Sequence, residues 1–185
     1  MNKLYLDMDG VVADWRTNAR MILGSDSTDP KQRYKPADWD RLRSNGRIFR
    51  DLPLMPGAEE LVSVARWFRD DLGWELLFLT AIPHNNDVPW VFHDKIEWAG
   101  RYFPDIPVHF GPYSEDKWRH CSAGDILVDD RSDNCQQWSA AGGEAIKVDL
   151  TVDSARELLR TIYKLKLEQR EQHALDTRRL LVEIL

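Results

Sequence analysis

A chain of 185 residues and 21.6 kDa suits one domain carrying at most a modest insertion. With 43% hydrophobic and 30% charged residues it has enough apolar side chain for a core, which excludes disorder and collagen-like repeats. The 31 acidic residues outnumber the 25 basic ones, for a net charge of -6, so duplex nucleic acid is a poor partner. Two cysteines, Cys121 and Cys135, are too few for a disulfide framework and match no zinc spacing, so reduced thiols and a cytoplasmic location are expected. Charged residues arrive by Lys3 and Asp7, where a signal peptide would need an apolar run. No apolar stretch approaches the ~18 residues of a membrane span, and no membrane partner is expected.

In chain order, the first apolar run covers residues 4–6 and stops at Asp7. Residues 15–56 hold a Gly24-Ser25-Asp26-Ser27-Thr28-Asp29-Pro30 loop, a further proline at 36 and no obvious strand, which reads as a small, mainly helical insertion covering one end of a sheet. It carries nine basic residues (Arg16, Arg20, Lys31, Arg33, Lys35, Arg41, Arg43, Arg47, Arg50) against five acidic, a surplus of 4 that leaves -10 for the remainder. Residues 58–71 follow Pro56-Gly57 and put Leu61, Val64, Ala65 and Phe68 on one helical face. Next come an apolar run at 76–79 ending at Thr80, a helix at 91–102, a weak strand at 108–110, and a run at 126–128 ending at Asp129-Asp130. A short helix at 134–141 and a weak strand at 145–148 follow. Continuous apolar runs suit strands buried on both faces, and their alternation with helices predicts an α/β fold, a doubly wound parallel sheet in three layers. Residues 1–14 and 57–152 then form the core. From 153 to 185 a helix with a stripe of Leu158, Ile162 and Leu165, and with Leu181, Ile184 and Leu185 near its end, packs on the core or joins a homodimer. A break is expected near 168–173.

All three polar terminators would stand at the carboxyl ends of strands, where open parallel sheets bind ligands. Asp7 and Asp9 leave one strand together and Asp129 and Asp130 another. Four carboxylates so close need a cation, and an oxygen-only donor set selects a hard ion, best matched by Mg²⁺ with substrate phosphate and water completing its shell.

Asp7-Met8-Asp9-Gly10-Val11-Val12-Ala13-Asp14, then Thr80, Lys117 and Leu127-Val128-Asp129-Asp130-Arg131, resemble motifs I to IV of the haloacid dehalogenase (HAD) superfamily. Residues 49–58 (FRDLPLMPGA), 94–103 (DKIEWAGRYF) and Asp116-Lys117 are similar to segments of the 5'(3')-deoxyribonucleotidases, which also insert a small helical cap after motif I. The resemblance implies a phosphomonoesterase working through an aspartyl-phosphate, with Asp7 as nucleophile and Asp9 as general acid and base. It implies Mg²⁺ held by Asp7, the Asp9 carbonyl and Asp130, with Asp129 behind them, and it places Thr80 and Lys117 on the transferring phosphoryl group. Gly10 falls among the substrate-contacting positions.

One departure stands out: the motif II threonine is followed by Ala81 where the deoxyribonucleotidases have a phosphate-binding serine. Trp15, Tyr34, Trp39 and Phe49 offer aromatic faces in or beside the insertion, and Phe49 matches a base-contacting position of the resembled group. Arg47 and Arg50 are expected to meet the anionic side of the substrate. The expected substrate is therefore a small phosphate ester, in first place a nucleoside monophosphate. The alternatives are another small phosphate ester, a polynucleotide end, or a nucleotide-binding protein without turnover.

Overall fold

The computed structural model describes residues 1–24, 34–84, 90–149 and 151–184. Five strands form one parallel sheet: β1 (Lys3–Leu6), β2 (Glu75–Thr80), β3 (Val108–Phe110), β4 (Ile126–Asp129) and β5 (Glu144–Lys147), in the order β3-β2-β1-β4-β5. Among the described residues six α-helices accompany them: α1 (Trp15–Leu23), α2 (Pro36–Ser44), α3 (Ala58–Leu72), α4 (Val91–Tyr102), α5 (Ser132–Ala140) and α6 (Asp153–Ile184). A 3₁₀ helix covers Ser114–His120. This is the doubly wound α/β architecture.

The period-two alternation of strand side chains divides the core. Leu4, Leu6, Leu76, Phe78, Ile126, Val128 and Ile146 point to one face and join the large cluster with α3, α4 and α6, whereas Tyr5, Leu77, Leu79 and Leu127 meet Trp138 of α5 on the other. The second layer is thin, so the Trp138 indole, fully buried and edge-on to Tyr5 at 5.2 Å, fills much of it. β1 lies at the centre, with Leu6 opposite Phe78 on one side and Val128 on the other. The chain winds outward through β2 and β3 and then returns to β4, so the topological switch point falls between β1 and β4, at the ends that carry Asp7 and Asp129.

The chain leaves the core after Asp14 and returns at Pro53 to Met55. Ala13 and Leu54 form an antiparallel bridge there, with Asp14 N donating to Pro53 O at 2.8 Å and Met55 N to Val12 O at 2.8 Å. Between these points α1 and α2 pack on each other through Ala19 and Leu42. Residues 25–30 of the expected loop, and the basic Lys31 and Arg33, lie outside the described residues.

Two expectations for the tail are corrected. Residues 168–173 are helical within one continuous α6, since nothing there removes a backbone donor and the local residues are good helix formers. The buried face runs through Ala155 and Leu159 with Ile162 packed beside them, while Leu158 and Leu165 are about half exposed. Docking on α3 rotates the helix toward the small Ala155 side, a choice made by the partner surface. The side chains of Leu181, Ile184 and Leu185 lie outside the described residues. No described helix is long and apolar enough to cross a membrane.

Candidate active site

Asp7 follows β1 directly and is nearly buried, with its amide donating to Val128 O at 2.9 Å. Its Oδ1 accepts from Met8 N at 2.7 Å and pairs with Lys117 Nζ at 2.8 Å. Both contacts fall on Oδ1, which leaves Oδ2 with lone pairs to spare. Lys117, brought in by the 3₁₀ helix, is 2% exposed and also donates to Asp129 Oδ2 at 2.7 Å. Asp129 is fully buried and further accepts from Asn134 Nδ2 on both oxygens (3.0 and 2.9 Å) and from Arg131 N at 2.8 Å. Three donors making four contacts fix this carboxylate, so it orients Lys117 rather than offering itself freely.

Electrostatics follows from this crowding. Burial pushes Asp7 up to about 8; Lys117 opposes the rise, and the Asp129, Asp130 and Asp9 charges add to it. Burial alone would lower the Lys117 ammonium, but Asp129 and Asp7 outweigh it and hold its pKa above the ordinary lysine value. Burial and Asp129 together push Asp130 up to about 6 against the pull of Arg16, whose Nη2 lies 2.6 Å from Asp130 Oδ2. Asp7, Asp129 and Asp130 can each turn a carboxylate oxygen to within 4.8 Å of the others. Oxygen donors at that separation, and carboxyl groups whose pKa is raised by burial and by one another's charge, fit a hard divalent cation. The Asp9 carboxylate stands outside this trio.

Asp9 turns instead to the ammonium of Lys95, which donates to Asp9 Oδ2 at 2.6 Å and to Thr80 Oγ1 at 3.0 Å. Thr80 ends β2 fully buried, and Ala81 follows it, partly exposed. The structure thus brings Asp7, Asp9, Thr80, Lys117, Asp129 and Asp130 together at the ends of β1, β2 and β4.

Gly10 adopts φ +81°, and a Cβ there would stand 2.4 Å from Asp130 Oδ2. The position therefore needs glycine both for its left-handed backbone and to let Asp130 approach. Gly10→Ala is expected to cost about 1 kcal/mol in backbone strain and to displace Asp130. A carboxylate so displaced would hold a divalent cation at least about tenfold more weakly than in the parent, which titration calorimetry with Mg²⁺ reads; parent-like binding in Gly10→Ala would refute the packing argument.

The insertion's expected contacts are arranged differently. Phe49 is 2% exposed, and its ring is buried. Trp15 stacks on it at 4.7 Å with an interplanar angle of 3°, and Lys95 Nζ lies 4.9 Å from its centroid. Trp39 and Tyr34 continue the assembly against Trp15, at 5.9 and 6.0 Å. Arg47 pairs with the buried Asp94 of α4 and lies 3.5 Å from Glu97, while Arg50 makes a two-point contact with Asp51 at 2.9 and 2.8 Å. Neither has a contact with the carboxylate site. Cys121 and Cys135 are free thiols, and burial pushes Cys135 up to about 12, which leaves it protonated and inert.

Lys95, Asn134 and Arg16 were not singled out as site residues by the sequence. A signal existed for the first two. The buried positions of α4 are Val91, Asp94, Lys95, Trp98 and Ala99, so a charged pair occupies the apolar stripe; in α5, Asn134 sits one turn before the buried Trp138. A charge on a core face needs a buried partner.

No protein-family model matches the sequence, and no curated protein does. Among solved structures, the chain is similar to a hydrolase from Streptococcus pneumoniae TIGR4, with a TM-score of 0.49 and 14% identity over 85% of this chain and 97% of that one. It is also similar to a protein from Thermotoga maritima assigned as a beta-phosphoglucomutase, with a TM-score of 0.42 and 15% identity over 89% of this chain and 99% of that one.

Proposed function

We propose that this chain is a Mg²⁺-dependent phosphomonoesterase of the HAD type, and that its substrates are nucleoside monophosphates. The supporting observation is the pair of aspartates at the end of β1 with separate partners: Asp7 held by Lys117 and Met8 N, Asp9 held by Lys95 beside Thr80. Asp7 Oδ2 attacks phosphorus, and the bond to the ester oxygen breaks as Asp9 gives that oxygen its proton. Asp9 then takes a proton from the water that cleaves the aspartyl-phosphate and frees inorganic phosphate. Lys117 meets the charge spread over the phosphoryl oxygens, and Thr80 offers them a hydroxyl. Asp7 and Asp130, with Asp129 behind, would hold Mg²⁺, whose charge lets an anionic nucleophile approach an anionic ester.

The nucleotide assignment is supported by the aromatic assembly beside the site. With the Phe49 ring buried, the surfaces left for a base are those of Trp15, Tyr34 and Trp39, which are partly exposed. The covered Phe49 ring is also the observation that favours the second reading, a smaller phosphate ester. Phosphate release would be followed for an aryl phosphate, sugar phosphates and a panel of ribo- and deoxyribonucleoside monophosphates, with Mg²⁺ and with chelator. The expected result is cation-dependent release, with kcat/KM for a nucleotide at least about tenfold above the others, a gap of roughly 1.4 kcal/mol. Preference for a sugar phosphate would refute the nucleotide assignment alone, and no release from any ester would refute the phosphatase.

A further inference from the structure

We infer that Lys95 is a positioning residue for both Asp9 and Thr80, and that Phe49 serves the reaction by holding Lys95 rather than by stacking on a base; this rests on the phosphatase reading. Lys95 is 1% exposed, and an ammonium so deeply buried is stable only where its donors are met. Its three hydrogens have three destinations: Asp9 Oδ2 at 2.6 Å, Thr80 Oγ1 at 3.0 Å and the face of Phe49, 4.9 Å from Nζ to the ring centroid.

Each contact has a consequence. Because an ammonium accepts nothing, Thr80 must receive from Lys95 and keeps its own hydroxyl hydrogen for another acceptor. The acceptor that chemistry supplies there is a phosphoryl oxygen. On Asp9, Oδ2 is occupied by Lys95, whereas Oδ1 is buried with no hydrogen-bond partner among the described residues. Oδ1 is therefore the oxygen held ready to give the leaving group its proton and later to take one from water. Without Lys95 the carboxyl group would be free to rotate about its Cβ–Cγ bond, and general acid catalysis is lost when the acid is out of hydrogen-bond reach.

The third contact ties this device to the insertion. The Phe49 ring is met by both Lys95 and Trp15, so the aromatic stack adjoins the ammonium that sets the acid. One residue earlier in α4, the buried Asp94 takes Arg47 of the same insertion segment. Two neighbouring contacts, Arg47 to Asp94 and Phe49 to Lys95, fasten the insertion to the helix that positions Asp9.

The test uses the whole protein with Mg²⁺ and aryl phosphates whose leaving phenols have pKa values from about 4 to about 10, an axis along which the need for a general acid grows. Lys95→Met keeps the length and removes the donors; Lys95→Arg keeps the charge; Phe49→Leu removes the ring. Lys95→Met is expected to lose about 100-fold in kcat/KM for phenyl phosphate but less than about tenfold for dinitrophenyl phosphate. Phe49→Leu should steepen the same dependence more weakly, and Lys95→Arg should recover part of it. Inhibition by inorganic phosphate adds a second readout: Thr80→Val should weaken it in the parent but not further in Lys95→Met. These are ratios within one variant, so a reduced folded fraction does not produce them. If Lys95→Met fails to fold by circular dichroism, the slopes for Lys95→Arg and Phe49→Leu decide. Equal losses across the leaving groups would overturn the role of Lys95 and leave the phosphatase standing, whereas a parent that hydrolyses none of the series overturns the phosphatase and this role with it.

Discussion

Asp7→Asn is expected to lower phosphate release by at least about a thousandfold while leaving the protein folded. In the proposed reaction an amide oxygen would not displace the alkoxide from phosphorus, so no aspartyl-phosphate would form. The fold should survive because Asn keeps the acceptor for Met8 N at nearly the same place, and Lys117 retains Asp129. Thermal stability should even rise without divalent cation: the substitution removes a carboxyl group that burial and three neighbouring carboxylates already press toward neutrality. Phosphate release and thermal unfolding measured on one preparation check both halves. Residual turnover above about a tenth of the parent rate would remove Asp7 from the role of nucleophile.

Thermal stability in chelator is expected to fall as pH rises from 5 to 8, and Mg²⁺ is expected to reverse that fall. In the folded protein Asp7 is raised to about 8 and Asp130 to about 6, both from an ordinary value near 3.8. Between these limits the folded state holds protons that the unfolded chain has released, so the stability difference shrinks as pH climbs. The contribution is fully present near pH 4 and is lost once pH passes the folded values. Asp105 behaves oppositely: the guanidinium groups of Arg66 and Arg69 hold it well below the carboxylate range, so its stabilisation fades only under more acidic conditions. A pKa unit corresponds to about 1.4 kcal/mol, and the two raised groups supply on the order of a few kcal/mol across this window. For a chain of this size that is a fall in Tm of roughly 5 °C or more. A dication that binds the ionised carboxylates should raise Tm more at pH 8 than at pH 5. A flat Tm in chelator, or an equal cation effect at both pH values, would contradict the burial argument.

The sequence by itself determined the strands and their terminators. Residues 4–6, 76–79 and 126–128 are unbroken apolar runs, and in a parallel sheet such runs belong to strands covered on both faces. Each is followed at once by a polar residue, so Asp7, Thr80 and Asp129-Asp130 were legible from local pattern alone. The helical character of the tail was equally legible in its lack of Gly and Pro, whereas its continuity was not: a break was expected near 168–173, and the helix runs through it.

Tertiary structure decided what depended on partners remote in the chain. Lys95 reaches Asp9 across 86 positions, and Asp94 reaches Arg47 across 47, separations over which a residue's own neighbours say nothing about its contacts. The same holds for Phe49, whose aromatic type suggested a stacking surface but whose ring is buried against Trp15 and Lys95. In α6, the helical period allowed several apolar stripes, and packing on α3 selected the one through Ala155 and Leu159. Backbone pattern and strand ends are set by local chemistry. Which face is buried, and what a buried charge is paired with, is set only when the sheet has brought distant segments within about 3 Å of each other.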